Sequence, residues 1–190
     1  ITTLSNAFYN YKLNSWIGRA RLNRSNKYLF TLSARYDGSS KFGPNYKYGF
    51  FPSGDAAWRI SQEDFFPSMF ISELKIRLSY GLTGNDFIPN LLYLDLYSPS
   101  SFYLGQPGIS INQIPNDDLK WEQTAQTNIG VDIGFFNNRI NLNVDLYQKK
   151  TEDLLLARPL PPTAGFGSIT DNIGSLENRG LEFVLTSDNF

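Results

Sequence analysis

In residues 73–83 every second position is apolar, Leu74, Ile76, Leu78, Tyr80 and Leu82, while Glu73, Lys75, Arg77, Ser79, Gly81 and Thr83 fill the positions between. A period of two sends successive side chains to opposite faces of a strand, so this segment reads as a β-strand with one apolar and one polar face. The pattern recurs in Tyr28, Phe30, Leu32, Ala34 and Tyr36 against Thr31, Ser33, Arg35 and Asp37. It recurs again in Ile140, Leu142, Val144 and Leu146 against Asn141, Asn143, Asp145 and Tyr147. Four further segments follow it less sharply, near residues 15–24, 47–60, 121–135 and 179–187. These runs reach roughly nine to fourteen residues, whereas soluble strands average about five or six and a tilted membrane-crossing strand needs about nine to eleven. Long two-faced strands fit a wall with hydrocarbon on one side and water on the other.

The connections strengthen that reading, because they alternate between short and long. Residues 24–27 and Asn137-Asn138 are tight turns and 61–72 is intermediate, whereas 38–46, 84–120 and 153–178 are long. Short turns on one rim and long loops on the other are how outer-membrane barrels are built. Tyr28, Tyr36, Tyr48, Trp58 and Tyr80 sit near the ends of the apolar rows, where a barrel places its aromatic girdles. Ser61, Glu63 and Asp64 before Pro67 predict a single helical turn over the short-turn rim.

Composition bears on what the chain does. Aromatics are 15% and Gly and Pro number 15 and 10, a profile of β-segments joined by turns. Mean hydropathy is −0.30, which does not separate a soluble chain from a barrel whose faces alternate. No apolar run approaches the roughly 18 to 20 residues of a transmembrane helix, so any crossing of a bilayer is made by strands. With 17 basic and 18 acidic residues spread through the chain there is no basic stripe for nucleic acid. The absence of His and Cys removes Ser-His-Asp and Cys-His catalysis, thiol chemistry and the commonest transition-metal ligands, and no acid–base motif supports an enzyme.

Several runs resemble the SusC/RagA family of TonB-dependent transporters. They are Arg35-Tyr36-Asp37-Gly38-Ser39-Ser40-Lys41-Phe42-Gly43, Phe50-Phe51-Pro52-Ser53 with Trp58-Arg59-Ile60-Ser61, and Ser79-Tyr80-Gly81-Leu82-Thr83-Gly84-Asn85. Leu119-Lys120-Trp121-Glu122-Gln123-Thr124 with Asn128-Ile129-Gly130, then Asn172-Ile173-Gly174-Ser175 and Glu177-Asn178-Arg179-Gly180-Leu181-Glu182, continue the likeness in order over about residues 15–187. The resemblance implies an all-β, antiparallel, up-and-down transmembrane β-barrel of about twenty-two strands in the outer membrane of a Gram-negative bacterium. It further implies a plug in the lumen, energy from TonB through an N-terminal region, a SusD-like lipoprotein lid, and import of oligosaccharides or peptides. Against that pattern residues 1–190 read as an internal piece: about seven strands of the barrel, with no signal peptide, plug or carboxyl-terminal strand. No cofactor or metal is implied.

Candidate residues follow from the two faces. Arg35, Arg59, Lys75, Arg77, Asp132 and Asp145, with Arg19, Arg21 and Glu182, are expected to face the lumen, either contacting substrate or lacing the wall to the plug. Tyr93, Tyr97, Phe102, Tyr103 and Trp121 lie in or beside the longest loop, where rings stack on sugars, grip a lid or pack the loop's own tip. Asp117 and Asp118 suggest either a calcium ligand pair or a solvated turn. The rival readings are a passive porin without a plug and a soluble β-sandwich binding module, which would need shorter strands and a second apolar face.

Overall fold

The computed structural model describes residues 10–67 and 70–188. Seven long strands form one antiparallel sheet: β1 (Leu13–Arg24), β2 (Tyr28–Ser39), β3 (Tyr48–Arg59), β4 (Ile71–Asn85), β7 (Glu122–Phe135), β8 (Ile140–Glu152) and β11 (Ser175–Ser187). They lie side by side in chain order, β1-β2-β3-β4-β7-β8-β11, an up-and-down meander. Each strand falls on one of the seven segments whose alternation marked it. The sheet is an open strip with β1 and β11 at its edges, and no second sheet or helix packs on its apolar face among the described residues.

The long loops hold more order than their Pro- and Gly-rich composition suggests. β5 (Leu96–Tyr103) pairs with β6 (Gln106–Gln113), and β9 (Leu155–Pro159) with β10 (Ser168–Asn172), each a separate hairpin. The opposite rim is made of tight turns. Ser25 and Asn26 both take φ of 55°, the left-handed pair that a two-residue hairpin demands, and Asn23 Oδ1 accepts a 3.0 Å bond from the Asn26 amide. The expected helical turn is a 3-10 turn at Ile60–Gln62, one residue earlier than the sequence signal, and Ser61 does not cap it. The Ser61 hydroxyl is turned toward Glu73 at 3.4 Å, and Glu63 is committed to side chains on β2 and β3.

The register explains how the faces become a wall. One hydrogen-bonded rung runs Leu22, Phe30, Ala56, Leu78, Ile129, Leu146 and Leu181 across all seven strands without a polar interruption. Most of these large side chains are exposed, Leu22 at 59% and Leu181 at 55%, as a lipid-facing belt must be before lipid is added.

The belt does not stay on one rung. On β2 it runs from Tyr28 to Tyr36, centred on Leu32, and the register carries Leu32 through Gly54, Tyr80 and Thr127 to Gln148 on β8. Yet the apolar row of β8 runs from Ile140 to Leu146, so its centre lies about five residues below Gln148 after four strand steps, or about one residue per strand. With ~3.4 Å per residue and ~4.8 Å between strands, a slide of one residue per strand corresponds to a tilt of ~35°. That lies in the range of membrane barrels, where strands lean by roughly 35–45°.

Aromatic pairs close the belt at both ends on β1 to β3. Tyr28 stacks on Trp58 at the short-turn rim, with centroids 6.4 Å apart, while Tyr36 stacks on Tyr48 at 5.2 Å beside Trp16 near the long-loop rim. Eight residues separate Tyr28 from Tyr36, which at this tilt is ~22 Å of height, close to the ~25 Å apolar band of outer-membrane barrels.

Candidate functional site

The polar face of the sheet is the face that can meet a solute, and its charges are arranged as a network. Lys75, Asp132 and Asn143 occupy one rung of β4, β7 and β8, and Arg77, Gly130, Asp145 and Glu182 occupy the next. Asp132 accepts both Nε and Nη2 of Arg77 at 2.8 to 3.0 Å, Lys75 Nζ at 2.8 Å and Asn143 Nδ2 at 2.8 Å. Arg77 Nη2 also donates to Asp145, whose other oxygen takes Asn128 Nδ2 at 3.2 Å. Two carboxylates and two cations thus cancel in a half-buried lattice where charge-assisted bonds are stronger than in water. Gly130 makes room for the crossing, since a Cβ there would run into both Asp145 and Arg77.

Four of the six lumen-facing candidates, Lys75, Arg77, Asp132 and Asp145, therefore meet in one lattice. Arg59 is held by a two-pronged bond to Glu73 at 2.9 and 3.0 Å, and Arg35 by Asp37 at 2.9 Å. Arg19 and Arg21 stand exposed on the edge strand β1.

The loop candidates separate into two groups. Trp121 is 5% exposed and packs with Phe42, Phe51, Ile88 and Leu119, which form a small core where the long loops fold over the polar face. Its ring lies 5.0 Å from Phe42 and 5.5 Å from Phe51, and its Nε1 donates to the Lys47 carbonyl. That packing joins the long loops to β3. Tyr97 and Phe102 remain 61% and 74% exposed on the β5–β6 hairpin, and Tyr93 is half-buried before it. The side chain of Tyr103 lies outside the described residues. Asp117 and Asp118 sit in a turn where Asn116 Oδ1 accepts the Asp118 amide, and among the described residues no group of three or more Asp, Glu, His or Cys converges on an ion site.

Two features escape a reading of the sequence alone. Asn172 fastens the loops together: its amide donates to the carbonyls of Lys120 and Asp153 at 2.8 and 2.9 Å while its oxygen accepts the Lys120 amide. The other is Glu63, which accepts Tyr28 Oη at 2.7 Å, Trp58 Nε1 at 3.0 Å and Lys27 Nζ at 3.1 Å. Those bonds, led by the Tyr28 hydroxyl and then Trp58 and Lys27, lower its carboxyl to about 2, and the same carboxylate raises Lys27. A tyrosine and a tryptophan at one rim beside an acid thirty-five positions away from the first carry no local signal.

Residues 2–189 match the family model described as TonB dependent receptor-like, beta-barrel. A TonB-dependent receptor of Formosa agariphila is 46% identical over 178 residues, covering 93% of this chain and 17% of the relative. The TonB-dependent receptor SusC of Bacteroides thetaiotaomicron is 40% identical over 184 residues, 92% of this chain and 18% of that protein. The solved RagAB peptide importer in its closed-closed state superposes with a TM-score of 0.85 at 34% identity, over 92% of this chain and 19% of that one. The chain thus spans less than a fifth of the length of these relatives.

Proposed function

We propose, because this chain belongs to the TonB-dependent receptor β-barrel family, that it serves as part of the wall and outer loops of an active importer of bulky nutrients. Proteins of this family are β-barrels of the Gram-negative outer membrane, and the tilted belt and aromatic girdles suit that location. The remaining strands of the barrel, a plug in its lumen and a TonB-contacting segment would lie in the rest of the protein.

The observation that carries the reading is the two-faced sheet itself, lipid-facing along one unbroken rung and laced by ion pairs along the other face. Arg35, Arg59, Lys75, Arg77, Asp132 and Asp145 spend their charge on wall partners, so their role is to stiffen a polar lumen against which a plug seats and releases. The nutrient is an oligosaccharide or a peptide. Tyr97 and Phe102, exposed on a hairpin with Asp95 its one nearby charge, are the contacts for a lipoprotein lid or for the incoming solute.

Uptake of the nutrient by cells carrying the complete transporter tests this directly. Removal of TonB is expected to abolish uptake while the barrel remains folded in the outer membrane. Uptake that continues without TonB and rises in proportion to nutrient concentration would make the protein a passive pore.

A further inference from the structure

β3 and β4 stop pairing before either strand ends. Their ladder runs from Arg59 and Lys75 only as far as Ser53 and Gly81, and residues 48–52 and 82–85 continue as strand without a ladder between them. On the outer sides of the gap pairing goes on, between β2 and β3 up to Gly38 and Tyr48 and between β4 and β7 up to Asn85 and Glu122. The wall is therefore split at this one seam, well inside the strip.

Pro52 starts the split. The Lys27 carbonyl accepts the Arg59 amide and the Lys47 carbonyl accepts the Ser39 amide, so the odd-numbered residues of β3 bond to β2. Backbone groups of an antiparallel strand alternate between its two neighbours, so the even-numbered residues, Pro52 among them, face β4. Continued register would set Pro52 opposite Leu82 and Phe50 opposite Gly84, and Pro52 has no N–H to give the Leu82 carbonyl. Pro52 lies four residues from Tyr48 of the aromatic girdle, ~11 Å at the ~35° lean, so the split begins inside the apolar band. Hydrocarbon does not satisfy unpaired backbone groups, so protein side chains must cover them.

The cover is an aromatic wedge brought by the outer loops. Trp121, at the entrance of β7, packs on Phe42 and on Phe51 of β3, with Leu82 of β4 against the same cluster, and its Nε1 donates to the Lys47 carbonyl at 3.3 Å. The Phe51 ring lies over Gly49 and Gly84, one on each side of the gap, where a Cβ would collide with it. A cavity of about 310 Å³ remains at the foot of the split, bordered by Ser53, Gly81, Leu82 and Thr83. All three long loops are tied to the wedge. Asn172 and Asp153 hold Lys120 beside Trp121 at 2.8 to 3.0 Å, while Asp86 accepts Ser39 Oγ at 2.9 Å and, on its carbonyl, Lys41 Nζ at 3.0 Å beside Phe42. Apolar packing is non-directional and tolerates a change of spacing that a hydrogen-bonded ladder does not. We propose that this is a working seam: a shift of the outer loops moves the Trp121 wedge, and the wall widens or narrows between β3 and β4 at its outer end.

Nitroxide labels on the complete transporter in lipid vesicles test this, on a background without other cysteines. The seam pair is Phe50→Cys with Asn85→Cys, and the control pair, on the closed ladder, is Ala56→Cys with Leu78→Cys. Dipolar broadening is expected to show the seam pair farther apart than the control pair. Trp121→Ala should spread the seam distances over at least about one strand spacing, ~4.8 Å, and leave the control pair unchanged. Asn172→Ala, which touches neither strand, should spread them in the same sense, and it keeps the test open if Trp121→Ala fails to fold. Adding Pro52→Ala to Trp121→Ala supplies the missing donor and should narrow the seam pair again. A seam pair at the control spacing, or one indifferent to Trp121→Ala and Asn172→Ala, overturns the proposal. So does spreading of both pairs together, or a failure of Pro52→Ala to narrow the seam. The seam belongs to the wall, so none of these results depends on whether uptake needs TonB.

Discussion

Leu32 on β2 and Gln148 on β8 belong to the same hydrogen-bonded rung, and both point to the outer face of the sheet. If the strands stood upright in the membrane, the two positions would lie at one depth and arginine would cost the same at either. With a ~35° lean the rung climbs ~2.8 Å per strand, so four strand steps lift Gln148 ~11 Å above Leu32. The apolar band is about 25 Å tall, which leaves Leu32 near its middle and Gln148 at its outer edge. Leu32→Arg is therefore expected to destabilise the barrel by about 2 to 4 kcal/mol, and Gln148→Arg by about 0 to 1 kcal/mol. Thr31→Arg, one residue away on the lumenal face, should be close to neutral. Denaturant titration of the complete barrel folded into lipid vesicles reads all three. Equal costs at Leu32 and Gln148 would refute the tilt worked out from the slide of the belt, and equal costs at Leu32 and Thr31 would refute the assignment of faces.

Acid should loosen the short-turn rim through Glu63. Its carboxyl is lowered to about 2, so the anchor it gives is complete above the ordinary carboxylate value near 4.5 and is lost as pH falls from there through 2. Trp58 fluorescence is expected to shift over that window, and Glu63→Gln to remove the transition. In the outer loops, Trp121→Ala empties a packed ring site, a change that costs about 3 to 5 kcal/mol in a core. Because that core joins loops rather than strands, the expected outcome is faster proteolysis within residues 86–121 with the barrel still resistant, and simultaneous collapse of both would count against it.

The strands were legible because each carries its own evidence. Alternation is a property of neighbours in the chain, and Leu74 to Leu82 or Ile140 to Leu146 announce a face without reference to anything distant. Alternation also groups Lys75, Arg77, Asp132 and Asp145 on one face, and the register places them on two neighbouring rungs. Their partners were not readable, because pairing depends on register between strands as far apart as Arg77 and Asp145, which one sequence does not print. β3 shows where alternation itself fails: Phe50 and Phe51 are adjacent, one on the lipid face and one on the lumenal face, and the second is apolar only because Trp121 and Phe42 come down to bury it. For Trp121 the sequence left open whether the ring meets a ligand or packs the loop, because the residues that cover it, Phe42, Ile88 and Leu119, come from distant parts of the chain.

The division of charge on the lumenal face carries a mechanical consequence. A saturated ion pair gives up its present partner before it takes a new one, so the lattice around Asp132 resists rearrangement and holds β4, β7 and β8 in fixed register. Asn143 and Asp145 both reach the lattice because alternation returns the same face of β8 at every second position.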